Sequence, residues 1–230
     1  MLAWTATVGA MRHVVWDWNG TLLDDQALVV DALNAVLADR GLPSTDLATY
    51  QRLYTRPVQT FYERLLGRPI EPGEWDHLDD VYHDGYALAL ERARLAVDAE
   101  VALDRVTGAG RSQSLLSMYR HEQLVPLVQR LGVDGHFLRI DGLQGAGGGH
   151  KAPHLEAHLA RILPLTGAAP DEILVVGDAI DDAVAADHVG ARCVLYDGGS
   201  HPRAELEATG LPVTDSLTEA LEVAGLTIDA

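Results

Sequence analysis

In the stretch Val14-Val15-Trp16-Asp17-Trp18-Asn19-Gly20-Thr21-Leu22-Leu23-Asp24, an apolar run ends in an aspartate and a glycine-bearing loop follows at once. A buried strand delivers a carboxylate to the edge of a sheet in this way. The near-continuous apolar character of His13 to Asp17 fits a central parallel strand covered on both faces.

Working outward, the pattern turns helical from Asp25 to about Arg94. Ala27, Val30, Leu33 and Leu37 followed by Gly41 predict one amphipathic helix with a glycine stop. Tyr50–Leu66 and Trp75–Ala93 read as further helices, with no strand between them. Val101–Val106 reads as a helix, Ser112–Ser117 as a strand, and a helix runs through Gln123, Leu127 and Leu131. Phe137–Ile140 is a further predicted strand. Lys151 and Pro153 open a helix, proline being tolerated in the first turn. Glu172–Val176 and Ala191–Tyr196 are apolar strands, the first ending in Gly177-Asp178. Strands and helices alternate outside residues 25–94, which predicts an α/β doubly wound, Rossmann-like parallel sheet carrying an inserted all-helical segment. The expected division is a core of residues 11–24 and 95–230, a helical cap of residues 25–94, and a possible leader at 1–10. Ligands of such sheets bind beyond the carboxyl ends of the strands.

The 230 residues carry a formal net charge of −17. That excess of acid argues against nucleic acid and anionic membrane as partners. No apolar run approaches the length of a membrane span, and residues 1–10 lack the basic start of a signal peptide. Cys193 is the only cysteine, so a reducing cytoplasm is the expected location. A monomer or homodimer is expected.

Asp17, Asp178 and Asp182 fall where they would converge at one end of the sheet. Clustered carboxylates repel and are costly to hold without a cation. An all-oxygen donor set suits Mg²⁺. Lys151 is the only lysine of the chain, and its compact ammonium stands at a predicted helix start.

Asp17-Trp18-Asn19-Gly20-Thr21, Ser117, Lys151 and Gly177-Asp178-Ala179-Ile180-Asp181-Asp182 occur in this order. Together they resemble the four motifs of the haloacid dehalogenase superfamily, in its helical-cap phosphatase form. The family's first motif is D-x-D-G-T; here it is D-W-N-G-T. The resemblance implies a Mg²⁺-dependent phosphatase acting on a small soluble phosphate ester through an aspartyl-phosphate intermediate. It implies Asp17 as nucleophile, and Ser117, Lys151, Gly20 and Thr21 around the phosphoryl group. It also implies Asp17, Asp178, Asp182 and the backbone carbonyl of Asn19 as metal ligands. Asn19 stands at the general acid–base position, where an amide neither donates nor abstracts a proton. Three outcomes follow: a substrate with a good leaving group, such as an acyl phosphate, aryl phosphate or diphosphate; a substitute acid among His77, His83 and Tyr54; or a catalytically weak phosphate-binding protein. A mutase is disfavoured because it too relies on the second aspartate, and a metal-free dehalogenase because the Gly177–Asp182 motif is intact. The absence of lysine from residues 25–94 excludes a Schiff-base mechanism there.

Other residues carry two readings. Ser117 holds a phosphoryl oxygen or caps a strand end. Arg56 reads a carboxylate or second phosphate, or is a solvated helix-end arginine. Asp181 reads as an exposed neighbour. His150, His154 and His158 read as one solvated helix face. Trp4, Trp16 and Trp75 read as core or cap-contact residues, while Trp18 is placed toward the cap and substrate. Gly145–Gly149 lacks the ending of a phosphate-binding P-loop and reads as a hinge or surface loop.

Overall fold

The computed structural model describes residues 11–145 and 149–226. The expected leader, Trp4 and most of the Gly145–Gly149 loop lie outside the described residues.

Six parallel strands form the main sheet: β1 (His13–Trp16), β4 (Ser112–Arg120), β5 (Ile140–Leu143), β6 (Ile173–Gly177), β7 (Arg192–Tyr196) and β8 (Val213–Thr214), in the order β5-β4-β1-β6-β7-β8. Successive strands run outward from β1 to one side through β4 and β5, then to the other through β6, β7 and β8. The switch in direction falls at β1, where doubly wound sheets bind their ligands.

The apolar run of β1 is explained by cover on both faces. Val14 and Trp16 join a core with Leu174 and Val176 of β6 and with helices α5 (Ala99–Gly108), α6 (His121–Arg130) and α10 (Leu217–Val223). Val15 points the other way, into a core with Ile173, Val175 and helices α7 (Ala152–Thr166) and α8 (Ile180–Val189). Side chains alternate between sheet faces, so two-sided cover removes any polar alternation.

Between β1 and α5 the chain makes a two-residue strand β2 (Leu23–Asp24), four α-helices, a 3₁₀ turn (Leu90–Arg92) and a two-residue strand β3 (Arg94–Leu95). The helices are α1 (Gln26–Asp39), α2 (Leu47–Leu53), α3 (Val58–Leu66) and α4 (Glu74–Ala89). β2 pairs antiparallel with β3, so the helical segment leaves and rejoins the core through a narrow ribbon. The expected single helix over Tyr50–Leu66 is two helices, because Pro57 disfavours helical backbone at Arg56. The short α9 (Arg203–Glu207) lies between β7 and β8.

Two further differences have local causes. β4 runs three residues past Ser117, and β5 begins at Ile140 rather than Phe137. The residues before β5 still bond to β4, through Leu138 N–H to Gln113 O at 2.8 Å and Leu115 N–H to Arg139 O at 2.9 Å. A 3₁₀ turn at Asp134–His136 delays regular pairing on this edge.

The histidine stripe is also corrected. His158 is 1% exposed and faces the sheet rather than water. Its Nδ1 lies 2.7 Å from Asp141, its Nε2 lies 2.7 Å from Ser114 Oγ, and Ser114 Oγ lies 2.8 Å from His13 Nε2. His13 Nδ1 meets Ser112 Oγ at 2.8 Å. These contacts form one continuous hydrogen-bonded chain from Asp141 through His158, Ser114 and His13 to Ser112. Burial, aided by His158, lowers the His13 pKa to about 4. The unfolded chain takes up that proton near pH 6.5, about 2.5 units higher. Stability from this group is therefore full above pH 6.5 and is lost as pH falls toward 4, by about 2–3 kcal/mol. Urea midpoints at pH 7 and pH 4.5 check this: His13→Asn is expected to narrow the difference between them, and an unchanged difference contradicts it.

Candidate active site

Three neighbouring strands deliver the site. Asp17 follows β1, its N–H bonded to Val176 O at 2.8 Å; Asp178 follows β6; Ser117 lies in β4, on the other side of β1. Asp182 lies in the first turn of α8, and its Oδ2 accepts Ala179 N–H at 3.0 Å, so it caps the helix as well as facing the site. Asp17, Asp178 and Asp182 each place one carboxylate oxygen within 4.8 Å of the others, and all are buried.

Lys151 caps α7 and is 4% exposed. Its Nζ donates to Asp17 and, at 2.5 Å, to Asp182. Its backbone N–H donates to Asp181 Oδ2 at 2.8 Å. Thr21 Oγ1 lies between Asp17 at 3.3 Å and Asp178 at 3.2 Å. Ser200 grips Asp178 from the turn after β7, through its N–H at 2.6 Å and its hydroxyl at 2.7 Å. Gly199 must be glycine here, because a Cβ would fall inside the Asp178 carboxylate. Gly20 has φ +73°, and a Cβ there would lie 2.7 Å from Asp178 and from Gln26.

Burial dominates the electrostatics. It raises Asp17 to about 8, opposed by Lys151 and reinforced by Asp182 and Asp178. It raises Asp178 to about 6, with Asp182 adding to the rise and Ser200 opposing it. Lys151 is driven upward because the two acids beside it outweigh its own burial. One ammonium does not balance three carboxylates, and the donor atoms are all oxygen. The set therefore fits a hard divalent cation.

The amide at position 19 is fixed on all sides. Asn19 Nδ2 donates to Asp25 Oδ2 at 2.8 Å and to Tyr86 Oη at 2.7 Å, and Asn19 Oδ1 accepts from Ser117 Oγ at 3.2 Å. Asp25 also accepts Gly20 N–H at 2.8 Å and the Tyr86 hydroxyl of α4. Asp25 is fully buried, and burial raises its pKa against those hydrogen bonds. Sequence reasoning missed Asp25, Tyr86 and Ser200. Asp25 is hidden in an Asp-Asp pair at a helix start, where acids are common for the macrodipole alone.

A cavity of about 260 Å³ opens above these groups. Asp17, Asn19, Ser117, Lys151, Asp178 and Asp182 line its floor, and Tyr54, Arg56 and His83 are in its wall. Arg56 donates to Gly149 O at 3.2 Å and approaches Asp181 at 3.7 Å. Asp181 is thus a partly buried hub for Arg56, His150 and Lys151, and not an exposed neighbour. Trp18 does not reach the cavity: its side chain is fully buried in the core, while its carbonyl accepts the N–H groups of Thr21 and Leu23 to close the turn. His77 is outside as well, paired at 2.9 Å with Asp39. Gly20 N–H is taken by Asp25 and the Thr21 hydroxyl faces two acids, so in this structure their polar groups serve the loop and the carboxylates.

A doubly wound sheet with an aspartate cluster at its switch point and a helical wall above it defines a class of hydrolase. Comparison with known proteins gives the family: the model for haloacid dehalogenase-like hydrolases matches residues 11–190, and the chain belongs to that family. It is 28% identical over 189 residues to a phosphoglycolate phosphatase of Yersinia pestis, covering 80% of each chain. It is 24% identical over 233 residues to phosphoglycolate phosphatase 1 of Pseudomonas aeruginosa, covering 93% of this chain and 79% of that one. Among solved structures, a haloacid dehalogenase-like family protein of Streptococcus pneumoniae superposes with a TM-score of 0.78 at 18% identity, over 93% of this chain and 98% of that chain.

Proposed function

We propose that the chain is a Mg²⁺-dependent phosphatase of small phosphate esters, with residues 25–94 as a cap over a core of residues 11–24 and 95–230. The observation that carries this reading is the meeting of Asp17, Asp178, Asp182 and Lys151, drawn from separate parts of the sequence, in one buried cluster. The phosphoglycolate phosphatase relatives support the ester class. The single, buried, unpaired Cys193 fits a reducing cytoplasm. Among the described residues, no helix is long and apolar enough to cross a membrane.

The Asp17 carboxylate forms a bond to phosphorus as the ester's alkoxy or aryloxy group leaves with the bonding electrons. Water then attacks the aspartyl phosphate, releasing phosphate and restoring Asp17. Lys151 and Ser117 hold the phosphoryl oxygens. A magnesium ion, held by Asp17, Asp178, Asp182 and the Asn19 carbonyl, would supply the positive charge that the transferring group requires. The fixed amide of Asn19 favours a second reading, a phosphate-binding protein with little turnover. Phosphate release from an ester panel, with and without EDTA, separates the two. No release with vanadate still bound leaves only the second.

Magnesium must displace protons from the raised carboxylates Asp17 and Asp178. Affinity is therefore expected to strengthen as pH rises from 6 to 8, by about tenfold per pH unit for each proton released. Calorimetry in buffers of different ionisation enthalpy reads both quantities. A pH-independent affinity contradicts the assignment.

A further inference from the structure

Resting on the phosphatase reading, we infer that the substrate class is aryl phosphates, whose ring is seated in the helical wall of the cavity and leaves as an aryloxide. Two independent observations converge on this.

The first is the wall. Aromatic residues are only 6% of the chain, yet six of its seven tyrosines (50, 54, 62, 82, 86 and 119) line this one cavity, with Phe61 and Trp75. The rings fall into two contiguous sets. Tyr50 meets Phe61 at 5.6 Å, Phe61 meets Tyr62 at 5.4 Å, and Tyr62 meets Trp75 at 5.6 Å, all edge to face. Tyr82 stacks on Tyr86 at 5.7 Å with planes 8° apart. Val29, Leu33 and Val58 fill between them. Such a surface gains from a flat, apolar ring through offset and edge contacts. A two-carbon acid would leave most of it uncovered.

The second is the floor. Asn19 donates both of its amide contacts to Asp25 and Tyr86 and has no proton to give a leaving oxygen. An aliphatic alkoxide, with basicity like that of hydroxide, needs that proton; a phenol ionises near pH 10, about five to six units lower. The aryl–oxygen keeps the electron pair of the broken P–O bond and takes its proton from water after leaving. The same wall contains Asp79, which raises a cationic leaving group such as choline as a rival. Asp79 is already answered by Arg120 at 3.2 Å and His83 at 3.4 Å, and choline leaves as an alkoxide.

The test uses the full chain with Mg²⁺ and follows phosphate release from phenyl phosphate, acetyl phosphate, 2-phosphoglycolate and phosphocholine. Phenyl phosphate is expected to exceed 2-phosphoglycolate and phosphocholine in kcat/KM by roughly 10²-fold or more, the worth of a missing general acid. Its KM is expected below that of acetyl phosphate, which leaves well but has no ring. Tyr82→Leu, which keeps apolar volume, is expected to raise the ratio of phenyl phosphate KM to acetyl phosphate KM. A KM for acetyl phosphate equal to or lower than that for phenyl phosphate removes the ring site. Preference for 2-phosphoglycolate or phosphocholine overturns the aryl class while leaving a phosphatase. No turnover of any of the four overturns both this inference and the phosphatase reading.

Discussion

Asp17→Asn is expected to reduce turnover by about 10⁴–10⁶-fold, the scale seen when a covalent nucleophile is deleted, while the protein stays folded. The substitution changes one oxygen to nitrogen and keeps the shape. Lys151 loses one of its two carboxylate partners but retains Asp182 at 2.5 Å. Removing one of three mutually repelling acids relieves part of the cost of burying them, so the thermal midpoint is expected to hold or rise. Intact-mass analysis of enzyme quenched during turnover should show a phosphate adduct in the parent and none in the variant. Residual turnover within tenfold of the parent would show that Asp17 is not the nucleophile.

The second large effect is a gain. Asn19 and Asp25 are hydrogen-bonded side chain to side chain at 2.8 Å. Asn19→Asp alone sets two carboxylates at that distance in a buried site, where one must keep a proton. Exchanging them, with Asn19→Asp and Asp25→Asn together, keeps one acid and one amide and reverses the direction of the bond. Gly20 N–H retains an acceptor at residue 25, and Ser117 retains one at residue 19. The exchanged protein is expected to hydrolyse alkyl phosphates about 10²–10⁴-fold faster than the parent, the usual worth of a positioned general acid. Aryl phosphates, which need that proton less, are expected to gain little. Equal rates for parent and exchanged protein on an alkyl ester would show that proton donation does not limit the reaction.

Much of this arrangement was legible from the order of residues. Asp17 and Asp178 were legible because an apolar strand must end where its carboxylate begins, and β1 and β6 are covered on both faces. Lys151 was legible as a lone lysine at a helix start. What escaped was set by packing. Helical spacing put His150, His154 and His158 on one stripe, but only the docking of α7 on β4 decides that His158 faces Ser114. Trp18 sits in a loop expected to face substrate, yet the turn closed by its own carbonyl sends the ring into the core. Asp25 and Tyr86 lie 61 residues apart, and no local pattern pairs them. The two-residue strands β2 and β3 are too short to show any period.

Lys151 is the one lysine of the chain, and it is enclosed by Asp17 and Asp182. Apart from the terminal amine, an acylating reagent therefore has a single target, and it reaches that target only when the pocket admits it. The mass gained over time thus reports how often this amine is both reached by solvent and freed of its proton, needing neither a fluorophore nor an engineered tag.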